Sequence, residues 1–283
     1  MAGPLIDAAT LAQWMVQRLD EGDGPLVVAD VRWYLDGRSG REAYAGGHIP
    51  GAVFVDLDTA LTAGAGHGPG RHPLPAPGAF ARAMEALGIG DGVTVVAYDD
   101  AGGSIAARLW WMLDVQDHAA LVLDGGLAAW PGPLVKEPSP GESPLPAPPA
   151  HFTARPWPAG TLADADAVAA ATGAVLDARA PERYRGDVEP VDPRAGHVPG
   201  ARNAPWAANL DPATGRFLPA AALRARYDEF GPVEIAYCGS GVTACHDLLA
   251  LRLAGLPPAR LYEGSWSDWS ADPVRPLATG PNP

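Results

Sequence analysis

The chain has 283 residues, 47% of them hydrophobic, and a formal net charge of −13; that length allows one large domain or two ordinary ones, with apolar material for a substantial core. The acidity excludes nucleic acid and anionic membrane surfaces as main partners. Two cysteines, Cys238 and Cys245, make no disulfide framework, no segment is apolar enough to span a membrane, and "MAGPLIDAATLAQWM" has no signal-peptide pattern, so a cytoplasmic protein is expected.

In chain order, "LVVADVRWY" reads as a short buried strand carrying Asp30 and Arg32, followed by Trp33 and Tyr34. "GGHIPGAVFVDL" makes a Pro-Gly turn after His48 and runs towards Asp58; a glycine-rich stretch then carries His67 and, in "GRHPLP", His72. "VTVVAYDDAGGSIAARLWWML" reads as strand, loop and helix with Asp99 at the strand end, and "LVLDGGLAAW" follows. Residues 135–150, "VKEPSPGESPLPAPPA", are dense in proline without periodicity and read as an extended linker.

The second half repeats the first. "AVLDARAPERY" aligns Asp177 and Arg179 with Asp30 and Arg32; "AGHVPGARNAPW" aligns His197 with His48. "VEIAYCGSGVTACHDLLALRL" and "RLYEGSWSDW" match their counterparts at one offset of 139 residues. Four blocks in the same order mark a duplicated domain: residues 1–134, the linker 135–150, and residues 151–283. Strands alternating with helical patterns predict an α/β fold, each domain a parallel β-sheet flanked by helices, with ligands beyond the carboxyl ends of the strands.

Cys238 stands at such an end. "VEIAY" predicts a strand, and from Thr243 the apolar spacing of Ala244, Leu248, Leu251 and Leu253 predicts a helix that stops at Gly255. The loop between them, Cys238-Gly239-Ser240-Gly241-Val242-Thr243, turns backbone N–H groups and a helix N-terminus towards its own centre. Both favour an anion, so a thiolate nucleophile is expected at Cys238. At the matching position the first domain has Asp99, which cannot serve as a sulfur nucleophile, so that domain is expected to be catalytically silent. Cys245, one helical face further on among apolar residues, reads as a core residue. His48 and His197 occur in both halves, including the one without a nucleophile, and read as structural.

These motifs resemble the tandem-domain rhodanese family of sulfurtransferases over essentially the whole chain: two "H-[IV]-P-G" turns, aspartate for cysteine in domain one, "YCGSGVTA", and "EGSWSDW". The loop is most similar to the 3-mercaptopyruvate branch; the thiosulfate branch carries basic residues where this chain has Gly239 and Ser240. The resemblance implies transfer of sulfane sulfur from a small-molecule donor, 3-mercaptopyruvate or alternatively thiosulfate, through a Cys238 persulfide to a thiol, a thioredoxin-like protein or cyanide. It implies Ser240 linked to His72 and Asp58 for proton delivery, with His67 as the competing histidine. It places Arg183 on the donor carboxylate, Gly239, Gly241, Val242 and Thr243 around the bound donor, and Asp177 with Arg179 as an internal supporting pair. The branch's second carboxylate-binding arginine falls nearer Val191 than Arg194, so it is not assigned. Trp33 and Tyr34 are either wall residues of the site or packing residues. No cofactor or metal is expected.

Two other classes compete. A cysteine phosphatase of this fold needs an arginine six residues after the nucleophile, where this chain has Ala244. A non-catalytic rhodanese-like binding protein suits domain one but leaves an intact cysteine loop in domain two unexplained.

Overall fold

The computed structural model describes residues 3–21, 25–64, 66–136 and 150–283. The chain forms two compact units, Met1–Leu61 with Pro75–Trp157 and Thr62–Leu74 with Pro158–Pro283. In the first unit the strands are β1 (Leu5–Ile6), β2 (Leu26–Asp30), β3 (Val53–Phe54), β4 (Thr94–Tyr98) and β5 (Ala120–Leu123). They form one sheet in the order β1-β5-β4-β2-β3, parallel throughout. The central strand β4 is buried from Val95 to Tyr98, as expected of an apolar run covered on both faces. The flanking helices are α1 (Ala8–Glu21), α2 (Gly40–Gly46), α3 (Leu57–Ala60), α4 (Pro77–Ala86) and α5 (Ala106–Asp114). Asp56 caps α3 by accepting from the Asp58 and Thr59 amides, which meets two orphan donors of the first turn.

The second unit repeats this plan with β6 (Leu162–Ala163), β7 (Ala174–Asp177), β8 (Arg202–Asn203), β9 (Val233–Tyr237) and β10 (Arg260–Tyr262), ordered β6-β10-β9-β7-β8 and also parallel. Its helices are α6 (Ala165–Ala169), α7 (Pro181–Arg185), α8 (Ala220–Asp228), α9 (Ala244–Leu253) and α10 (Ser265–Trp269). Val175, Ile235, Tyr237, Tyr262, Trp266 and Trp269 share one core cluster. Burial of either indole contributes about 4–6 kcal/mol before ordering costs.

The repeat extends to side-chain geometry. Arg32 Nη2 donates to Asp30 (2.7 Å) and to Gly47 O (2.8 Å); Arg179 Nη2 donates to Asp177 (2.6 Å) and to Gly196 O (2.7 Å). The His48 ring stacks on Tyr44 and the His197 ring on Tyr184, at 3.8 and 3.7 Å, each bonded through Nδ1 to that tyrosine's carbonyl. Each pair fastens the chain after a sheet strand to the Pro-Gly turn.

The units part elsewhere than at the expected boundaries. Val135 pairs with His48 in both directions at 2.9 Å, so the first unit continues past residue 134; the rest of the expected linker, residues 137–149, lies outside the described residues. Residues 151–157 pack on the first unit: Phe152 N donates to Glu85, its ring stacks on His118, and Trp157 Nε1 donates to Pro75 O. Residues 62–74 belong to the second unit, where the Leu74 amide donates to Glu263 at 2.7 Å. Composition marks where a chain is irregular; which unit an irregular segment packs on is decided by tertiary contacts. Helix α9 also departs from a one-sided apolar stripe, since every residue from Ala244 to Leu251 is buried, including His246 and Asp247. No helix among the described residues is long and apolar enough to cross a membrane.

Candidate active site

Cys238 follows directly on β9 and stands six residues before α9. The closing "EGSWSDW" segment grips its loop from one side: Trp266 N donates to Cys238 O (3.0 Å), Ser267 N to Gly239 O (2.9 Å), and Cys238 N to Ser265 Oγ (3.1 Å). Gly241 has φ +78°, and a Cβ there would lie 2.4 Å from Glu263 O, so only glycine fits. Val242 is buried beside it and Thr243 is half-buried before the helix.

The first unit shows what this loop geometry does. The loop after β4 is filled by its own Asp99 carboxylate, which accepts from the amides of Ala101, Gly103, Ile105 and Ala106 at 2.8–2.9 Å. Four converging N–H groups make an anion cradle. By the 139-residue offset, the matching positions in the Cys238 loop are Ser240, Val242, Ala244 and Cys245, and the amide of the last donates to Val242 O at 3.1 Å.

Ser240 and His72 meet. His72 Nδ1 and Ser240 Oγ share a hydrogen bond of 2.7 Å, and the two residues are only 7% and 6% exposed. Its direction follows the imidazole tautomer. His72 reaches the loop because its segment belongs to the second unit, held by Ala63 N to Pro73 O (2.8 Å) and by Arg71 N to Ser267 Oγ (3.0 Å). His67 is exposed, its Nδ1 on Gly64 O. Asp58 is an exposed residue of α3 in the first unit, where its carboxylate accepts from Trp33 Nε1 at 3.1 Å. Trp33 and Tyr34 are half-buried in that unit and, with Arg38, Phe54 and Asp58, line a cavity of about 370 Å³. Burial, with the Asp100 hydrogen bond, pushes the Tyr34 hydroxyl up to about 12.

A guanidinium cluster lies on the Gly239 side. Arg183, on α7, donates to Glu189 (2.6 Å) and Asp192 (3.3 Å), and Arg179 bridges Asp177 and Glu189. Glu189 and Asp192 have side chains only 3% exposed. Burial opposes ionisation of Glu189, but its hydrogen bonds from Arg183 and the neighbouring amides win and hold its carboxyl below the usual range. Arg71 joins the cluster through an ion pair with Asp192. Sequence reading places Arg183 here and misses Arg71, whose only signal is adjacency to His72. Val191 is exposed, and Arg194 spends its donors on the carbonyls of Trp269, Ser270 and Arg275. Cys245 is fully buried, its thiol on Gly241 O.

Ser265 is the other residue missed. It holds φ +54°, uncommon outside glycine, and its hydroxyl donates to Tyr262 O (2.8 Å) while accepting from Cys238 N. Gly126 stands at the matching place in the first unit with φ +57°, so the repeat itself carried the signal.

Two parallel α/β units on one plan, one ending a strand at a buried carboxylate and the other at a buried cysteine, define a duplicated domain. The chain belongs to the rhodanese family: the rhodanese-like domain profile matches residues 11–132 and 161–272. It is 47% identical over 282 residues to a Pseudomonas aeruginosa protein named "Probable 3-mercaptopyruvate sulfurtransferase", covering 95% of this chain and 97% of that one. It is 43% identical over 290 residues to a Mycobacterium tuberculosis protein provisionally named a thiosulfate sulfurtransferase, SseB, covering 98% and 97%. The crystal structure of the 3-mercaptopyruvate sulfurtransferase SseA from Escherichia coli superposes with a TM-score of 0.77 at 31% identity, over 94% of this chain and 100% of that one. The chain is a sulfurtransferase.

Proposed function

We propose that the enzyme moves sulfur from 3-mercaptopyruvate, through a persulfide on Cys238, to a small thiol, a thioredoxin-like protein or cyanide in the cytoplasm. The Cys238 thiolate attacks the donor sulfur and the sulfur–carbon bond breaks, its electron pair passing to the departing enolate. The proton of the donor thiol ends on the methylene carbon, so pyruvate leaves and Cys238 retains an anionic persulfide. An acceptor thiolate then takes the outer sulfur and restores the Cys238 thiolate. Amides of the glycine-rich loop and the α9 N-terminus stabilise both sulfur anions.

The observation that carries the donor assignment is the buried Ser240–His72 hydrogen bond of 2.7 Å in the loop that begins at Cys238. An enolate leaving group needs a proton, and a hydroxyl backed by an imidazole moves one. Sulfite leaving from thiosulfate needs none. One observation favours thiosulfate as a second donor: Arg71 and Arg183 bring two guanidinium groups to Gly239, where sequence reading finds no local cation. Comparing kcat/KM for the two donors with one common acceptor tests the reading. Preference for mercaptopyruvate is expected; preference for thiosulfate overturns it.

A further inference from the structure

Ser240 and His72 are 168 residues apart in sequence, so their 2.7 Å hydrogen bond needs something that holds both backbones at once. The turn from Glu263 to Ser267 touches both. Two of its successive carbonyls each abut a glycine. A Cβ on Gly241, in the Cys238 loop, would lie 2.4 Å from Glu263 O, and one on Gly70, in the His72 segment, 2.3 Å from Gly264 O. With φ at +78° and +72°, only glycine lets both segments come this close to the turn.

Ser267 is the residue common to both sides. Its amide donates to the carbonyl of Gly239 (2.9 Å), the residue before Ser240. Its hydroxyl accepts from the amide of Arg71 (3.0 Å), the residue before His72. The hydroxyl proton goes to Gly264 O at 2.9 Å, which leaves an oxygen lone pair for the Arg71 amide. Glu263 holds the far end of the same segment, its carboxylate accepting from the Leu74 amide at 2.7 Å. His72 is therefore pinned from the turn on either side of its own Cα.

The repeat separates what is general in this turn from what is particular to the cysteine unit. Trp266 N donates to Cys238 O at 3.0 Å and its counterpart Leu127 N to Asp99 O at 2.8 Å, so a grip on the residue after the strand is common to both units. At the position of Ser267 the first unit has Ala128, which offers no hydroxyl.

We propose that Ser267, with Glu263, is a positioning residue for proton delivery: it fixes the His72 backbone against the Cys238 loop and so sets the distance between the His72 imidazole and the Ser240 hydroxyl. The proposal rests on the mercaptopyruvate reading, in which that pair protonates the departing enolate. Both residues act through the Ser240–His72 bond.

The test compares turnover of mercaptopyruvate and thiosulfate in Ser267→Ala, in Ser240→Ala and in the double variant. Ser267→Ala keeps the amide on Gly239 O and removes the acceptor for Arg71 N. It should lower kcat with mercaptopyruvate by about tenfold, given that a 1 Å misplacement costs about a hundredfold, and change KM by less than about twofold. With thiosulfate, whose leaving group needs no proton, kcat should stay within about threefold of wild type. In the Ser240→Ala background the same substitution should change mercaptopyruvate turnover by less than about twofold, because the bond it serves is already gone. Glu263→Ala should behave like Ser267→Ala, and Glu263→Gln, which keeps an acceptor oxygen for Leu74 N, should recover most of the loss. The ring-nitrogen NMR shifts of His72 give a readout that needs no donor: Ser267→Ala should move them towards their values in Ser240→Ala. Equal slowing with both donors, full additivity with Ser240→Ala, or unmoved His72 shifts overturns the proposal. If wild type prefers thiosulfate while Ser267→Ala and Ser240→Ala stay non-additive for mercaptopyruvate, the donor reading falls and the positioning role stands.

Discussion

Replacing Ser240 with alanine separates proton delivery from loop architecture. The substitution removes one hydrogen bond of 2.7 Å between two residues that are each less than 8% exposed. Its loss costs about 1 kcal/mol of stability, rising towards 3 if the His72 nitrogen is left buried without a partner. The kinetic effect is larger and selective: loss of a positioned proton donor costs about 10²–10⁴-fold, and only where the leaving group must be protonated. Stopped-flow formation of the persulfide should slow by that factor with mercaptopyruvate and by less than about tenfold with thiosulfate, while chemical denaturation shows only the small stability loss. Equal slowing with both donors would refute the reasoning, because the serine would then be shaping the loop and not moving a proton.

Gly241→Ala should abolish transfer from either donor while leaving the far-ultraviolet circular dichroism of both sheets unchanged, since its Cβ meets Glu263 O at 2.4 Å and its φ of +78° disfavours any side chain. Ser265→Gly should be the milder and Ser265→Ala the more destabilising substitution, by about 1 kcal/mol in urea unfolding: both lose the acceptor for Cys238 N, but only glycine relieves φ +54°. Asp247 gives a pH prediction. Burial, against hydrogen bonds from Asn209 and Tyr227, raises its carboxyl from 3.8 to about 7, so the folded state holds a proton that the unfolded state has released. Its contribution is therefore largest near and below pH 4 and is lost as pH rises to about 7, by up to a few kcal/mol. Asp247→Asn should flatten the fall in unfolding free energy between about pH 4 and 7; an unchanged slope would show that Asp247 is not the group responsible.

How much of this was legible depends on how local each feature is. The Cys238 loop could be read because a strand end, two glycines and a helix start are adjacent in sequence, and the Asp177–Arg179 pair because it spans two residues. His72 could be named only through family resemblance, since it meets Ser240 across 168 residues. Arg71 gave no local signal beyond its adjacency to His72: its guanidinium gains meaning from Asp192 and Gly239, both distant in sequence. Ser265 was hidden by chemistry, because a positive φ is normally announced by glycine and here only its repeat partner Gly126 announces it. The crossing of residues 62–74 into the second unit has the same cause as the Arg71 omission, since both follow from contacts with Glu263 and Ser267 near the end of the chain.

The central claim is a covalent sulfur on Cys238. Mixing the enzyme with 3-mercaptopyruvate in the absence of acceptor, trapping with an alkylating reagent and mapping the peptides by mass spectrometry should show one added sulfur atom on the peptide carrying Cys238 and Cys245, localised to Cys238 by fragmentation, released by an added thiol and missing in Cys238→Ser. An unmodified Cys238 in an enzyme that still turns over, or added sulfur on Cys245, would contradict the account.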